Sequence, residues 1–193
     1  MTQRSHQTRQ ALVRATAELI ADGRVADAGL VNICDRAGVT RGALYHHFPS
    51  TASLAAAVYD QARTRAWSFT EEAFDGAESD APKRFFTALG AAMGNEKVVR
   101  AGMQLAADGS DARPCLRDEL LAMVRQRVVA THANATASTG EAADLADLAV
   151  VVAAGIESLG RSDPAWWEDK TSTRLWEVMR PLFESVEPDP RRA

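Results

Sequence analysis

Asn32-Ile33-Cys34-Asp35-Arg36-Ala37-Gly38-Val39-Thr40-Arg41-Gly42-Ala43-Leu44-Tyr45-His46-His47-Phe48-Pro49-Ser50-Thr51-Ala52-Ser53 is the stretch on which the fold turns. Two short helical segments meet at Gly38, a residue that tolerates the positive φ of a tight turn. The second segment starts at Thr40, whose hydroxyl suits an N-cap, and it sets Leu44 and Phe48 four residues apart on one side. At about 100° per residue, Gly42 and His46 stand roughly opposite Leu44. The outward face is therefore Arg41, Gly42, Tyr45 and His46. A short helix with one apolar side and one basic, aromatic side, following another across a glycine turn, has the layout of a helix-turn-helix.

The chemistry of that face suits double-stranded DNA. A guanidinium near the start of a helix can give two parallel hydrogen bonds to guanine O6 and N7, and the missing side chain at Gly42 lets backbone and groove approach closely. The Thr40 hydroxyl can both cap the helix and reach a phosphate.

Outward from this stretch, apolar residues at Ala11, Leu12, Ala15, Leu19 and Ile20 predict a one-sided helix over 7–22. Thr8 and Arg9 lie at its start, where free N–H groups can lean on a phosphate. A second helix is expected over 30–37. After Pro49, Ser50 is a good N-cap for a fourth helix reaching about Phe74.

Composition agrees with an all-α fold of about nine helices. The chain has 193 residues, 46% apolar and 25% charged, with only two Tyr and six Phe. Further helices are expected over 82–92, 96–107, 116–132, 141–159 and 164–186, with breaks at Gly94, Gly109 with Pro114, Thr139-Gly140 and Gly160.

The net charge of −4 hides an asymmetry. Residues 1–50 carry six Arg and no Lys against Glu18, Asp22, Asp27 and Asp35, two positive charges in excess, whereas the remainder is acidic. A modest basic excess supports DNA binding weakly. The two cysteines, Cys34 and Cys115, are far apart and in no metal-type spacing, which fits a reducing cytosol. The opening residues have no apolar signal core, and the longest apolar run, Leu148 to Ile156, is too short to span a bilayer. A cytoplasmic protein without a membrane segment is expected.

Other readings are weaker. His46 and His47 diverge on a helix and have no third ligand nearby, so no metal is expected. No nucleophile elbow, zinc-protease motif or phosphate-binding glycine loop is present, so neither a catalytic residue nor a cofactor is assigned. Glu141, Asp144 and Asp147 are read as solvated groups near a helix start, and Cys115 as a small buried hydrophobe.

The last two helices carry more apolar surface than one small domain can bury. The first holds Val150, Val151, Val152 and Ile156, and the second Trp166, Leu175, Trp176, Val178, Met179, Leu182 and Phe183. A homodimer built as a four-helix bundle from these two helices of each subunit is their natural use. In the body, Trp67, Phe86, Met93, Met103, Gln104, Leu121 and Met123 are candidates to line a ligand cavity, set against the plainer reading that they are core.

The wording Ala37-Gly38-Val39-Thr40-Arg41-Gly42-Ala43-Leu44-Tyr45-His46-His47-Phe48 resembles the signature of TetR-type transcriptional regulators. Val98 to Ala106, followed by Arg113-Pro114, and Leu175 to Leu182 are similar to the body of actinobacterial γ-butyrolactone receptors, repressors of that type. The resemblance implies a DNA-binding domain over 1–52 and a ligand-binding and dimerisation domain over 53–193. It implies a dimer on an inverted-repeat operator, released by a small inducer, and assigns Tyr45 and His47 to phosphates. Ser50 and Thr51, at the start of the fourth helix, complete the expected DNA-facing set.

There are three departures from the pattern. Ala28 and Gly29 stand where relatives usually have a capping Ser or Thr, and Thr51 where many have Lys. Met123 stands where the γ-butyrolactone receptors keep a pocket Trp. The expected function is a ligand-responsive repressor of specialised-metabolite genes. The rivals are a repressor of an efflux or catabolic gene and a helical adaptor or enzyme.

Overall fold

The computed structural model describes residues 3–22, 29–76, 79–133 and 139–184, and every structural statement concerns these. Nine α-helices follow one another among them, with no strand: α1 (Gln3–Ala21), α2 (Leu30–Ala37), α3 (Arg41–His47), α4 (Thr51–Phe74), α5 (Ala81–Asn95), α6 (Lys97–Gly102), α7 (Leu116–Ala133), α8 (Thr139–Leu159) and α9 (Asp169–Glu184). A short 3₁₀ turn, Pro164–Trp167, precedes α9. None of the helices is long and apolar enough to cross a membrane.

The chain forms two compact units, Met1–Arg65 with Glu96–Asp118, and Ala66–Asn95 with Glu119–Ala193. In the first, α1 packs on α2 and α6. Its interior is built from Leu12, Leu19, Ile20, Ile33, Leu44, Phe48, Leu54, Val58 and Val99. Surface ion pairs add to this unit: Arg36 to Glu18 at 3.1 Å, Lys97 to Asp22 at 3.1 Å and Arg65 on α4 to Glu96 at 3.0 Å. Pairs this exposed each contribute at most about 1 kcal/mol, so the apolar interior holds the unit.

In the second unit α5 packs on α8, α9 and the 3₁₀ turn. Phe85, Phe86, Leu89, Met93, Trp176 and Phe183 are buried there. The Trp176 and Phe183 rings lie 5.2 Å apart, and His132 meets Phe183 edge-on at 5.6 Å. The His132 Nδ1 lies 2.9 Å from the Val128 carbonyl oxygen, which only a protonated Nδ1 can exploit.

Several helix ends differ from the sequence expectation. The first helix starts at Gln3 rather than Gln7. The helix expected to stop before Gly94 runs through it to Asn95. The helix expected over 96–107 stops at Gly102. Beyond it Gly109, at φ +82°, lies against α4, where a Cβ would come within 2.4 Å of the Ala52 carbonyl oxygen. The chain must leave the helical path to make that approach, and only glycine fits there.

The single helix expected over 164–186 is broken. Asp163 caps the 3₁₀ turn by accepting a hydrogen bond from the Ala165 amide at 3.0 Å, and Glu168 is extended before α9 begins. Val186 lies outside the described residues.

Candidate nucleic-acid interface

The turn between α2 and α3 is made by local chemistry. Gly38 sits at φ 65°, ψ 35°, and its amide donates to the Asp35 carbonyl. The Val39 amide donates to the Cys34 carbonyl at 3.0 Å. These two bonds satisfy the last carbonyls of α2 and turn the chain into α3. Thr40 then caps α3: its Oγ1 accepts from the Ala43 amide at 3.2 Å.

At its other end the Phe48 amide donates to the Leu44 carbonyl at 2.8 Å. Leu44 and Phe48 are buried in the first unit. A seven-residue helix does not stand alone in water, so these two anchors hold it in place.

Opposite the anchors, Arg41, Gly42, Tyr45 and His46 are exposed, and His47 is half-buried. Tyr45 is 53% exposed, an unusual position for an aromatic ring. Arg41 makes no ion pair among the described residues. Burial pushes the Cys34 thiol up, and the Arg41 charge draws it back only partly. The His46 and His47 rings meet edge-on at 5.3 Å. Among the described residues no three His, Cys, Asp or Glu stand close enough together to hold a metal ion.

Gly42 carries the sharpest geometric signal. A Cβ built there would meet only the Thr40 Oγ1, at 3.9 Å, and its φ is not positive. Neither packing nor backbone conformation within the chain asks for glycine, which weakens a helix interior by about 0.5–1 kcal/mol relative to alanine.

The flanking candidates are occupied within the chain. The Thr8 hydroxyl donates to the Arg4 carbonyl at 3.1 Å. The Arg9 guanidinium lies 5.0 Å above the centre of the Phe48 ring. Ser50 and Ser53 cap α4 reciprocally: the Ser53 amide donates to Ser50 Oγ at 3.0 Å, and the Ser50 amide to Ser53 Oγ at 3.1 Å. Thr51 is exposed on the first turn of α4. Gly29 precedes α2 without a side-chain cap. Val31, 47% exposed on α2, is an apolar surface residue that periodicity alone did not single out.

The seven residues expected to line a ligand cavity divide between the units. Met103 and Gln104 belong to the first, where Met103 is buried and the Gln104 Nε2 donates to the Arg100 carbonyl at 3.3 Å. Trp67, Phe86, Met93, Leu121 and Met123 belong to the second; Phe86 and Met93 are fully buried there and the other three half-buried. On the last two helices Val151, Leu159, Val178 and Leu182 are exposed, and Gly155, one turn from both Val151 and Leu159, has open space where a Cβ would be.

Comparison with known proteins agrees with this anatomy. Residues 12–58 match the family of bacterial regulatory proteins described as tetR. No curated protein matches the sequence. Among solved structures, a γ-butyrolactone receptor (ArpA-like protein) is 23% identical, over 98% of this chain and 93% of its own, at a TM-score of 0.74. CprB from Streptomyces coelicolor in complex with its operator is 23% identical, over 98% and 92%, at 0.68. NalD, the secondary repressor of the MexAB-OprM multidrug efflux pump in Pseudomonas aeruginosa, is 21% identical, over 97% and 100%, at 0.69. At these identities the likeness is one of fold. Residues 12–58 thus match the tetR family, and over nearly its full length the chain shares the fold of these three proteins.

Proposed function

We propose that this regulator is a cytoplasmic, dimeric repressor that reads an inverted-repeat operator through α3 and releases it on binding a small molecule. The observation that carries the reading is the face of Arg41, Gly42, Tyr45 and His46, exposed together on a helix anchored from behind by Leu44 and Phe48. A glycine that nothing among the described residues requires, between an arginine with no ion pair among them and an exposed tyrosine, suits a helix that meets a groove wall. In this reading Arg41 takes a guanine edge, and Tyr45, His46 and His47 donate to phosphates. Thr40, Ser50 and Thr51 present hydroxyls or amides to the backbone from the adjoining helix ends, and Thr8 its hydroxyl from within α1.

Residues 1–52 are proposed as the reader and 53–193 as the ligand-binding and dimerising body. The row Val151, Gly155 and Leu159 on α8, exposed at Val151 and Leu159, with exposed Val178 and Leu182 on α9, supports a second copy as its cover, because a helix without a side chain at Gly155 can approach another closely. The two recognition helices would then enter grooves about 34 Å apart or a multiple of it.

For the signal, the stretches Val98–Ala106 and Leu175–Leu182 favour a γ-butyrolactone-like molecule and control of specialised-metabolite genes. The comparable fold likeness to NalD favours a second reading, a repressor of an efflux gene answering to an unrelated compound. A gel-shift on the chain's own promoter region, repeated with extracts of the producing culture and with known efflux substrates, separates them. Release by the extract alone supports the first, and release by the efflux substrates alone the second. Absence of any shift at low salt removes both in favour of an adaptor or enzyme.

A further inference from the structure

The Arg9 guanidinium is stacked 5.0 Å above the Phe48 ring, and among the described residues this is the contact that engages it. Another partner was in reach by residue type. Arg9 lines a groove of about 250 Å³ between α1 and α4 together with His6, Gln10 and Val13, and Asp60, Gln61 and Thr64 line it from α4. Arg9 and Asp60 nevertheless form no ion pair among the described residues. Phe48 is buried, and it is the residue on which α3 ends. The carbonyls at that end carry the negative pole of the helix, which favours a cation placed there.

We propose that Arg9 is a positioning residue of the DNA reader: by stacking on Phe48 it clamps the C-terminal end of α3 to α1 and so sets the angle at which Arg41 meets the groove. This rests on the reading of α3 as a recognition helix, and it departs from the expectation that Arg9 meets a phosphate. α3 is short, and Thr40 fixes only its N-terminal end. A planar cation over an aromatic face resists tilting in a way that a lysine ammonium on a flexible stem does not.

The test uses the full chain and a duplex that the wild type selects from a random-sequence pool. Affinities for that duplex and a scrambled one are measured across a salt series for wild type, Arg9→Lys, Arg9→Gln, Phe48→Leu and the double variant Arg9→Lys with Phe48→Leu. Arg9→Lys keeps the charge and should lose about two- to fivefold in discrimination, the range expected of one stacked cation. Its salt slope should stay that of the wild type, and the double variant should be no worse than Phe48→Leu alone.

A phosphate ligand behaves oppositely: Arg9→Lys binds as wild type while Arg9→Gln lowers the salt slope by about one. That result overturns the proposal and leaves the DNA reading standing. A merely structural Arg9 would lower the melting temperature in Arg9→Lys with discrimination intact, and this too overturns it. Failure of the wild type to select any duplex defeats the DNA reading itself, and the positioning role with it.

Discussion

The Thr40 hydroxyl accepts the Ala43 amide at 3.2 Å, so the helix that presents Arg41 is closed at its N-terminus by a side chain from the residue just before it. Removing that cap should cost about 1 kcal/mol. Thr40→Ala is expected to lower the melting temperature and weaken operator binding together, while Thr40→Ser restores both. Thermal melts and gel-shifts on the same preparations check it. An alanine variant as stable as wild type would show that α3 does not depend on its cap.

Gly42 separates stability from function. Since a methyl there meets nothing closer than 3.9 Å, Gly42→Ala should stabilise the free protein by about 0.5–1 kcal/mol while weakening its hold on DNA. Denaturant unfolding and a binding titration read the two effects. Stabilisation without loss of binding would mean that the groove does not press on this position.

Asp118 makes stability depend on acid. Its carboxyl is held below the usual carboxylate range, first by a hydrogen bond from the Arg113 side chain and further by the Cys115 amide at 3.1 Å, with partial burial opposing. A carboxylate depressed in the folded state contributes stability above its unfolded value, and the contribution is lost as pH falls through the folded one. Stability should therefore decline below about pH 4, and Asp118→Asn should flatten that decline. Melting temperatures between neutral pH and pH 3 test this, with an unchanged acid limb in the variant as the contrary result.

The exposed apolar residues of the last two helices test the dimer. Val178 is 77% exposed, so Val178→Asp should leave the fold of one chain intact and turn a dimer into monomers. Light scattering over a concentration series reports it. A variant that stays dimeric with unaltered affinity would move the interface elsewhere.

The helix-turn-helix was legible where its chemistry is local. The Gly38 turn, the Thr40 and Ser50 caps and the inward Leu44 and Phe48 all depend on residues within about a turn of one another, and periodicity carries that information. The stacking of Arg9 on Phe48 was not legible, because the two are far apart in sequence and either could have served another purpose.

Helix ends failed for the same reason. α6 stops at Gly102 because the following loop must bring Gly109 against Ala52, a demand made by α4 rather than by residues 96–107. The candidate cavity residues were chosen by type. Each compact unit is assembled from separate stretches of chain, so Met103 and Gln104 fall in a different unit from Trp67 and Phe86.

On the proposed function, the outward face of α3 reads sequence through Arg41. Binding of wild type and Arg41→Ala to a selected duplex and to its scrambled counterpart, at one salt concentration, tests it most directly. The variant should keep its fold and some general affinity for DNA but bind the two duplexes about equally. Full discrimination by Arg41→Ala would contradict it.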